Sequence, residues 1–270
     1  MIHCARPSSN TTFSVETDID VQEVETFRRM ASEWWAENGK LRALHSMNKL
    51  RIPFISNGLQ NSRPNVENKD FAPLSRFRIL DVGCGGGILC EPLAALGAEV
   101  LGIDQLSESI QVATEHCLLT KYRWSAPGLQ PPQYRLVNVG TLSNEAPESF
   151  DGIILSEVIE HVSDWEKLLH AAIRCLKPGG MLFITTLNRT LASFLFGIIG
   201  AEYVAGIVPV GTHDWAKFIE PHRVQATAIR AGLRPSQLIG MCYNPLTDQW
   251  HWTTNLLVNY AFSAQKPIKS

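Results

Sequence analysis

Hydrophobic and polar positions follow two rhythms along this chain, and the change between them falls near residue 77. Before it the spacing is helical. Val24, Phe27, Met30, Ala31 and Trp34 recur three and four residues apart behind an Asp20/Glu23 capping box, and Asn38-Gly39 ends the run. A second, less regular apolar segment runs through Leu44, Met47, Leu50 and Ile55. Together they predict an N-terminal helical annex over 21–59. Residues 60–76 are polar with two prolines and read as a linker, while 1–20 read as disordered or as a transit-peptide remnant.

From Phe77 onward, apolar runs predict strands at 77–82, 98–103, 133–137, 150–156 and 180–187, with helices near 88–96, 107–119 and 164–175. Such alternation predicts an α/β domain over 77–264, a doubly wound and mainly parallel sheet that binds ligands at the carboxyl ends of its strands. After the fifth strand comes an apolar insertion, 190–211, in which Glu202 is the one charge. A helix near 215–231 and two β-rich stretches, 235–243 and 255–263, close the chain.

Composition narrows the function classes. With 45% hydrophobic and 19% charged residues the chain reads as an ordinary globular protein. A net charge of −2 without a long basic run argues against nucleic acid, which needs clustered cations. The six cysteines contain no C-x-x-C pair, so a reducing compartment fits better than a disulfide framework. No uncharged apolar run reaches the ~18 residues of a membrane-spanning helix.

The strongest chemical signal is Asp81-Val82-Gly83-Cys84-Gly85-Gly86-Gly87, running off the first strand. Glycines here permit a tight turn and a close approach of backbone N–H groups to a ligand. The second strand ends at Asp104, placed to accept hydrogen bonds from both hydroxyls of a ribose. A dinucleotide fingerprint is disfavoured, because Ile88 and Cys90 stand where it needs small residues. A nicotinamide oxidoreductase is therefore the weaker reading. Asp81 beside the loop suits a ligand carrying an ammonium and a sulfonium better than a pyrophosphate. With Leu176-Lys177-Pro178-Gly179-Gly180 downstream, the sequence resembles the class I S-adenosylmethionine-dependent methyltransferases, whose fold is Rossmann-like.

The fourth strand runs into Ser156-Glu157-Val158-Ile159-Glu160-His161, and a Ser163/Glu166 capping box is expected to start the next helix. Two readings of this turn stand side by side. Glu157, Glu160 and His161 together suit a divalent cation such as Mg²⁺. In a metal-independent methyltransferase, His161 is instead the general base. His213 and Trp215, with Tyr243 and Asn244, are candidates to line the substrate mouth.

Met30-Ala31-Ser32-Glu33-Trp34-Trp35 and Leu44-His45-Ser46-Met47-Asn48-Lys49-Leu50-Arg51 complete the pattern with LDVGCGGGILCEPLA, SEVIEHV, LFITTLN, GTHDW and YNP. Over about 25–264 the chain closely resembles the ubiquinone-biosynthesis O-methyltransferases. The resemblance implies methyl transfer from S-adenosylmethionine to catechol-type hydroxyls of a polyprenylated dihydroxybenzoate and of a demethylubiquinol. It implies that Arg51, Gly83, Asp104 and Ser156 touch the donor, with Gly85 in the same loop, and that Glu157, Glu160 and His161 hold the metal. It also implies a peripheral location on the matrix side of the mitochondrial inner membrane, among other ubiquinone-biosynthesis proteins. The wording of LHSMN, GMCYNP and WHW favours that mitochondrial branch. A non-catalytic scaffold of such a complex is the remaining alternative. One departure concerns Asn138-Val139-Gly140-Thr141, which lacks the acid that many class I members use to read adenine. Finally, 190–211 is expected either to lie in the membrane interface, with Phe194, Leu195, Phe196 and Ile199 inserted, or to form a lid.

Overall fold

The computed structural model describes residues 33–36, 39, 41–63, 72–188 and 218–268. Eight strands form one sheet: β1 (Arg78–Val82), β2 (Glu99–Asp104), β3 (Gln133–Leu136), β4 (Phe150–Ser156), β5 (Leu176–Leu187), β6 (Arg234–Asn244), β7 (Gln249–Thr253) and β8 (Asn259–Gln265). Their order is β3-β2-β1-β4-β5-β8-β6-β7. The first five pair in parallel, and β8 runs antiparallel to both β5 and β6. The chain winds outward from β1 in one direction and resumes at β4 in the other. The β1/β4 boundary is therefore the switch point, where a ligand crevice opens at the carboxyl ends.

Among the described residues six α-helices accompany the strands: α1 (Arg42–Ser62), α2 (Cys90–Ala95), α3 (Ser107–Leu119), α4 (Val139–Glu145), α5 (Trp165–Cys175) and α6 (Pro221–Arg230). Successive residues of the central strands feed opposite cores. Leu80, Ile153, Leu182 and Ile184 pack with α5 and α6, whereas Ile79, Ile154, Met181 and Phe183 pack with α1 and α2. Covering both faces is what makes these strands read as continuous apolar runs.

Several expectations need correction. The second half of the annex is not an appendage, since Phe54, Ile55 and Leu59 of α1 share one core with Phe183 and Ile79. Gly58 marks that contact: a Cβ there would sit 2.6 Å from the Phe183 ring. The helix accommodates Pro53 inside it. The linker read over 60–76 is too long at both ends, because α1 reaches Ser62 and Ala72, Leu74 and Phe77 are buried. The start of α5 is capped by Asp164, whose side chain accepts from Lys167 N at 2.9 Å, rather than by Ser163. α4 and β7 were not foreseen. Residues 21–32 of the first annex helix, the insertion 190–211, His213 and Trp215 lie outside the described residues.

At the amino end of β4 the carboxylate of Asp151, 3% exposed, gathers three donors. Arg63 bonds one oxygen, while Arg78 N at 2.9 Å and Lys177 Nζ at 3.0 Å bond the other. This ties the end of α1 to β1, β4 and β5. Among the described residues no helix is long and apolar enough to cross a membrane.

Candidate active site

The first turn off β1 brings the glycine loop to the switch point. Gly83 has φ +70° and would press a Cβ to 2.6 Å from Val158, so both its backbone angle and its neighbour require glycine. Beneath the loop, Asp81 is 3% exposed and accepts from Cys90 Sγ at 3.1 Å. Burial pushes its carboxyl up to about 6, although that bond and the charge of Arg51 oppose the rise.

Asp104 ends β2 with both oxygens in use. Oδ2 accepts from Gly85 N at 3.0 Å and Oδ1 from Leu106 N at 2.9 Å. Burial raises its pKa, and those backbone bonds hold the rise back. The carboxylate therefore fixes the glycine loop and the start of α3, and its remaining lone pairs stay available to ribose hydroxyls.

Arg51 enters from α1 and is 3% exposed. Its Nη1 donates to Ser156 Oγ at 2.7 Å, its Nη2 donates to Asn48 Oδ1 at 2.6 Å and to the Leu44 carbonyl at 2.9 Å, and its Nε donates to Asn48 Oδ1 at 3.1 Å. Ser156 Oγ also pairs with Thr185 Oγ1 at 2.8 Å. Burial lowers the pKa of Arg51 while the negative charges of Glu157 and Asp81 raise it. Helix, loop and the ends of β1, β4 and β5 thus meet around one buried cation.

Beyond Ser156 the backbone of Glu157 is held at φ +54°, with its N–H on the Thr185 carbonyl at 2.8 Å. For a residue with a Cβ this costs about 1–2 kcal/mol, and such strain gathers at functional sites. Glu157 Oε1 is buried and has no hydrogen-bond donor among the described residues. Glu160 and His161 follow on the 3-10 turn Ile159–His161. Neighbours on such a turn point about 120° apart, and here Glu160 is buried while His161 is half-exposed. Among the described residues no three His, Cys, Asp or Glu side chains gather closely enough to hold a metal, so the expected trio does not converge as it stands.

A family model described as a methyltransferase domain matches residues 25–238. The ubiquinone biosynthesis O-methyltransferase, mitochondrial, of Rattus norvegicus is 44% identical over 96% of this chain and 73% of its own length. The chain belongs to this family. The ubiquinone biosynthesis O-methyltransferase of Brucella anthropi is 40% identical, over 95% of this chain and 99% of its own length. The chain spans 66% of the human relative, to which it is 44% identical. Magnesium protoporphyrin IX methyltransferase from Synechocystis PCC 6803, solved with bound S-adenosylmethionine, superimposes with a TM-score of 0.59. The match covers 94% of this chain and 100% of that one, and at 14% identity it speaks for the fold alone.

For a member of the ubiquinone-biosynthesis O-methyltransferases, the expected donor residues gather well. Arg51 bonds Ser156, Asp104 bonds Gly85, and Gly83 turns the loop. Asn48 and Thr185, which orient Arg51 and Ser156, were missed; Asn48 lies three residues before Arg51, a spacing that signals one helix face. Tyr243 and Asn244 stand at the carboxyl end of β6 but are engaged in the β6–β7 hairpin, with Tyr243 Oη on Asp248 at 2.7 Å and Asn244 Oδ1 on Leu246 N at 3.0 Å. Asn138 caps α4 through Thr141 N at 2.7 Å, and Val139 is buried in the core.

Proposed function

We propose that this chain transfers the methyl group of S-adenosylmethionine to a catechol-type hydroxyl, on a polyprenylated dihydroxybenzoate and on a demethylubiquinol. The family to which it belongs carries the reaction class. The observation that most supports the donor site is the buried Arg51–Ser156 bond beside Asp81 and Glu157. It offers a cation for the donor's carboxylate, and Asp81 offers a carboxylate for its ammonium. Asp104 takes the ribose, and the backbone at Gly83 and Gly85 takes the methionine portion.

The sulfonium already activates the methyl group, so the protein's main task is to align an in-line displacement. The acceptor phenol must lose its proton. The donor chemistry of Glu157, Glu160 and His161 suits Mg²⁺ or another divalent cation, and the buried, donor-free Oε1 of Glu157 supports that fit. Such a cation, when bound, lowers the phenol pKa. Glu157 follows directly on the carboxyl end of β4, while Glu160 and His161 would have to turn toward it. His161 as general base is the second reading, favoured by its half-exposed position.

Mammalian relatives named as mitochondrial support a mitochondrial site of action. We extend this to the matrix side of the inner membrane, bound peripherally beside other proteins of the pathway, because a polyprenyl tail stays in the bilayer. The deciding experiment uses labelled S-adenosylmethionine and a short-tailed catechol, with and without chelator. Transfer lost on chelation and restored by Mg²⁺ supports the metal reading, and transfer that survives chelation supports His161. A folded chain that binds the donor but methylates neither substrate refutes the proposed activity.

A further inference from the structure

Two tryptophans cover the loop on which the proposed function seats the donor, and one of them has an unanswered polar atom. Trp34 is 7% exposed, and its ring lies so close that a Cβ on Gly85 or Gly86 would stand 2.3 or 2.5 Å from it. Gly85 is thus required by the indole above it as well as by its φ of +53°, and Gly86 by the indole. The Trp34 Nε1 is buried and has no hydrogen-bond acceptor among the described residues. Buried N–H groups without acceptors are rare in folded proteins, and one beside a ligand loop points to an acceptor that arrives with the ligand.

The backbone that carries the ring is held from both sides. His45 Nε2 donates to the Trp34 carbonyl at 2.7 Å. Trp35 Nε1 donates to the Gly86 carbonyl at 2.9 Å, and its ring stacks on His116 with centroids 3.4 Å apart and planes within 5°. His116 Nδ1 in turn meets Glu91 Oε1 at 2.7 Å, and Glu91 is 1% exposed. His45 lies on α1, the helix that carries Arg51, so Trp34 is tied to the element that brings the buried cation.

We propose that Trp34 is a further donor-binding residue, whose indole N–H bonds the carboxylate of the S-adenosylmethionine methionine moiety. Trp35, His116 and Glu91 are its positioning mount. The carboxylate is the strongest acceptor on the donor, and it is the group that Arg51 recruits to this side of the loop. The proposal rests on the reading that this loop binds S-adenosylmethionine.

The test compares two ligands, S-adenosylmethionine and its decarboxylated analogue, by calorimetry on the parent and on Trp34→Phe. Phenylalanine keeps an aromatic ring over Gly86 but removes the N–H together with the distal part of the indole, so the comparison between the two ligands isolates the N–H, and circular dichroism checks the fold. The expected result is a roughly tenfold rise in Kd for S-adenosylmethionine and little change for the analogue. Nitrogen-15 spectra of the parent give a readout that needs no variant. One of the seven indole N–H signals should move downfield with S-adenosylmethionine and stay in place with the analogue. Equal effects on both ligands, or no such signal, overturn the proposal while leaving the donor site intact. A parent that binds neither ligand overturns the donor site itself, and this proposal with it.

Discussion

Asp81 should make the unliganded protein less stable as pH rises. Its carboxyl moves from 3.8 to about 6 on folding, so between those values the native state holds a proton that the unfolded chain has released. Stability then falls with pH across that window, by about 1.4 kcal/mol per pH unit and about 3 kcal/mol in all. Below about pH 4 both states are protonated and the penalty is absent; above about pH 6 both are ionised and the penalty is complete. Asp81→Asn removes the titration while keeping an oxygen to accept from Cys90. Any fixed cost of burying the extra amide is the same at every pH and cancels. Urea denaturation of parent and variant without donor, at pH 4 and at pH 8, should show the stability difference moving in the variant's favour by about 2.5 kcal/mol. A difference that stays constant between the two pH values would refute the reasoning, since it would mean that Asp81 keeps its ordinary pKa in the fold.

Glu157→Gly should raise stability by about 1 kcal/mol in urea denaturation, because the strained φ is released, and should abolish methyl transfer. Asp104→Ala should weaken S-adenosylmethionine binding at least about tenfold by calorimetry, since ribose hydroxyls and the Gly85 amide lose one acceptor together. Asp151→Ala should cost about 3 kcal/mol by urea denaturation, as two cations and a backbone N–H lose a buried acceptor, yet leave the Kd for S-adenosylmethionine unchanged.

What was legible in the sequence is what short-range pattern encodes. The glycine loop, the strand-end Asp104 and the five parallel strands each declare themselves within about ten residues. Other features depend on partners far along the chain. Trp34 reads as a helix-face aromatic, because nothing local says that Gly85 and Gly86 lie under it. Leu74 reads as part of a linker because the prolines at 64 and 73 interrupt any period around it, yet it is completely buried. The strand β7 escaped because Gln249, Trp250, His251 and Trp252 lack the branched aliphatics of an interior strand. The metal trio was read from proximity in sequence together with the family resemblance, and along the 3-10 turn Glu160 and His161 do not converge with Glu157 as the structure stands.

The two fastenings of α1 also form a ruler. Arg51 holds Ser156 at one end of β4, and Arg63 holds Asp151 at the other. A helix rising 1.5 Å per residue covers about 18 Å between those arginines. A strand advancing 3.3 Å per residue covers about 17 Å between their partners. The two lengths agree to within about one residue's rise of the helix. One residue gained or lost between Arg51 and Arg63 would rotate one arginine by about 100° and pull it off its mate. This stretch should therefore stay fixed in length where surface loops vary, with α1 serving as the template against which β4 is measured.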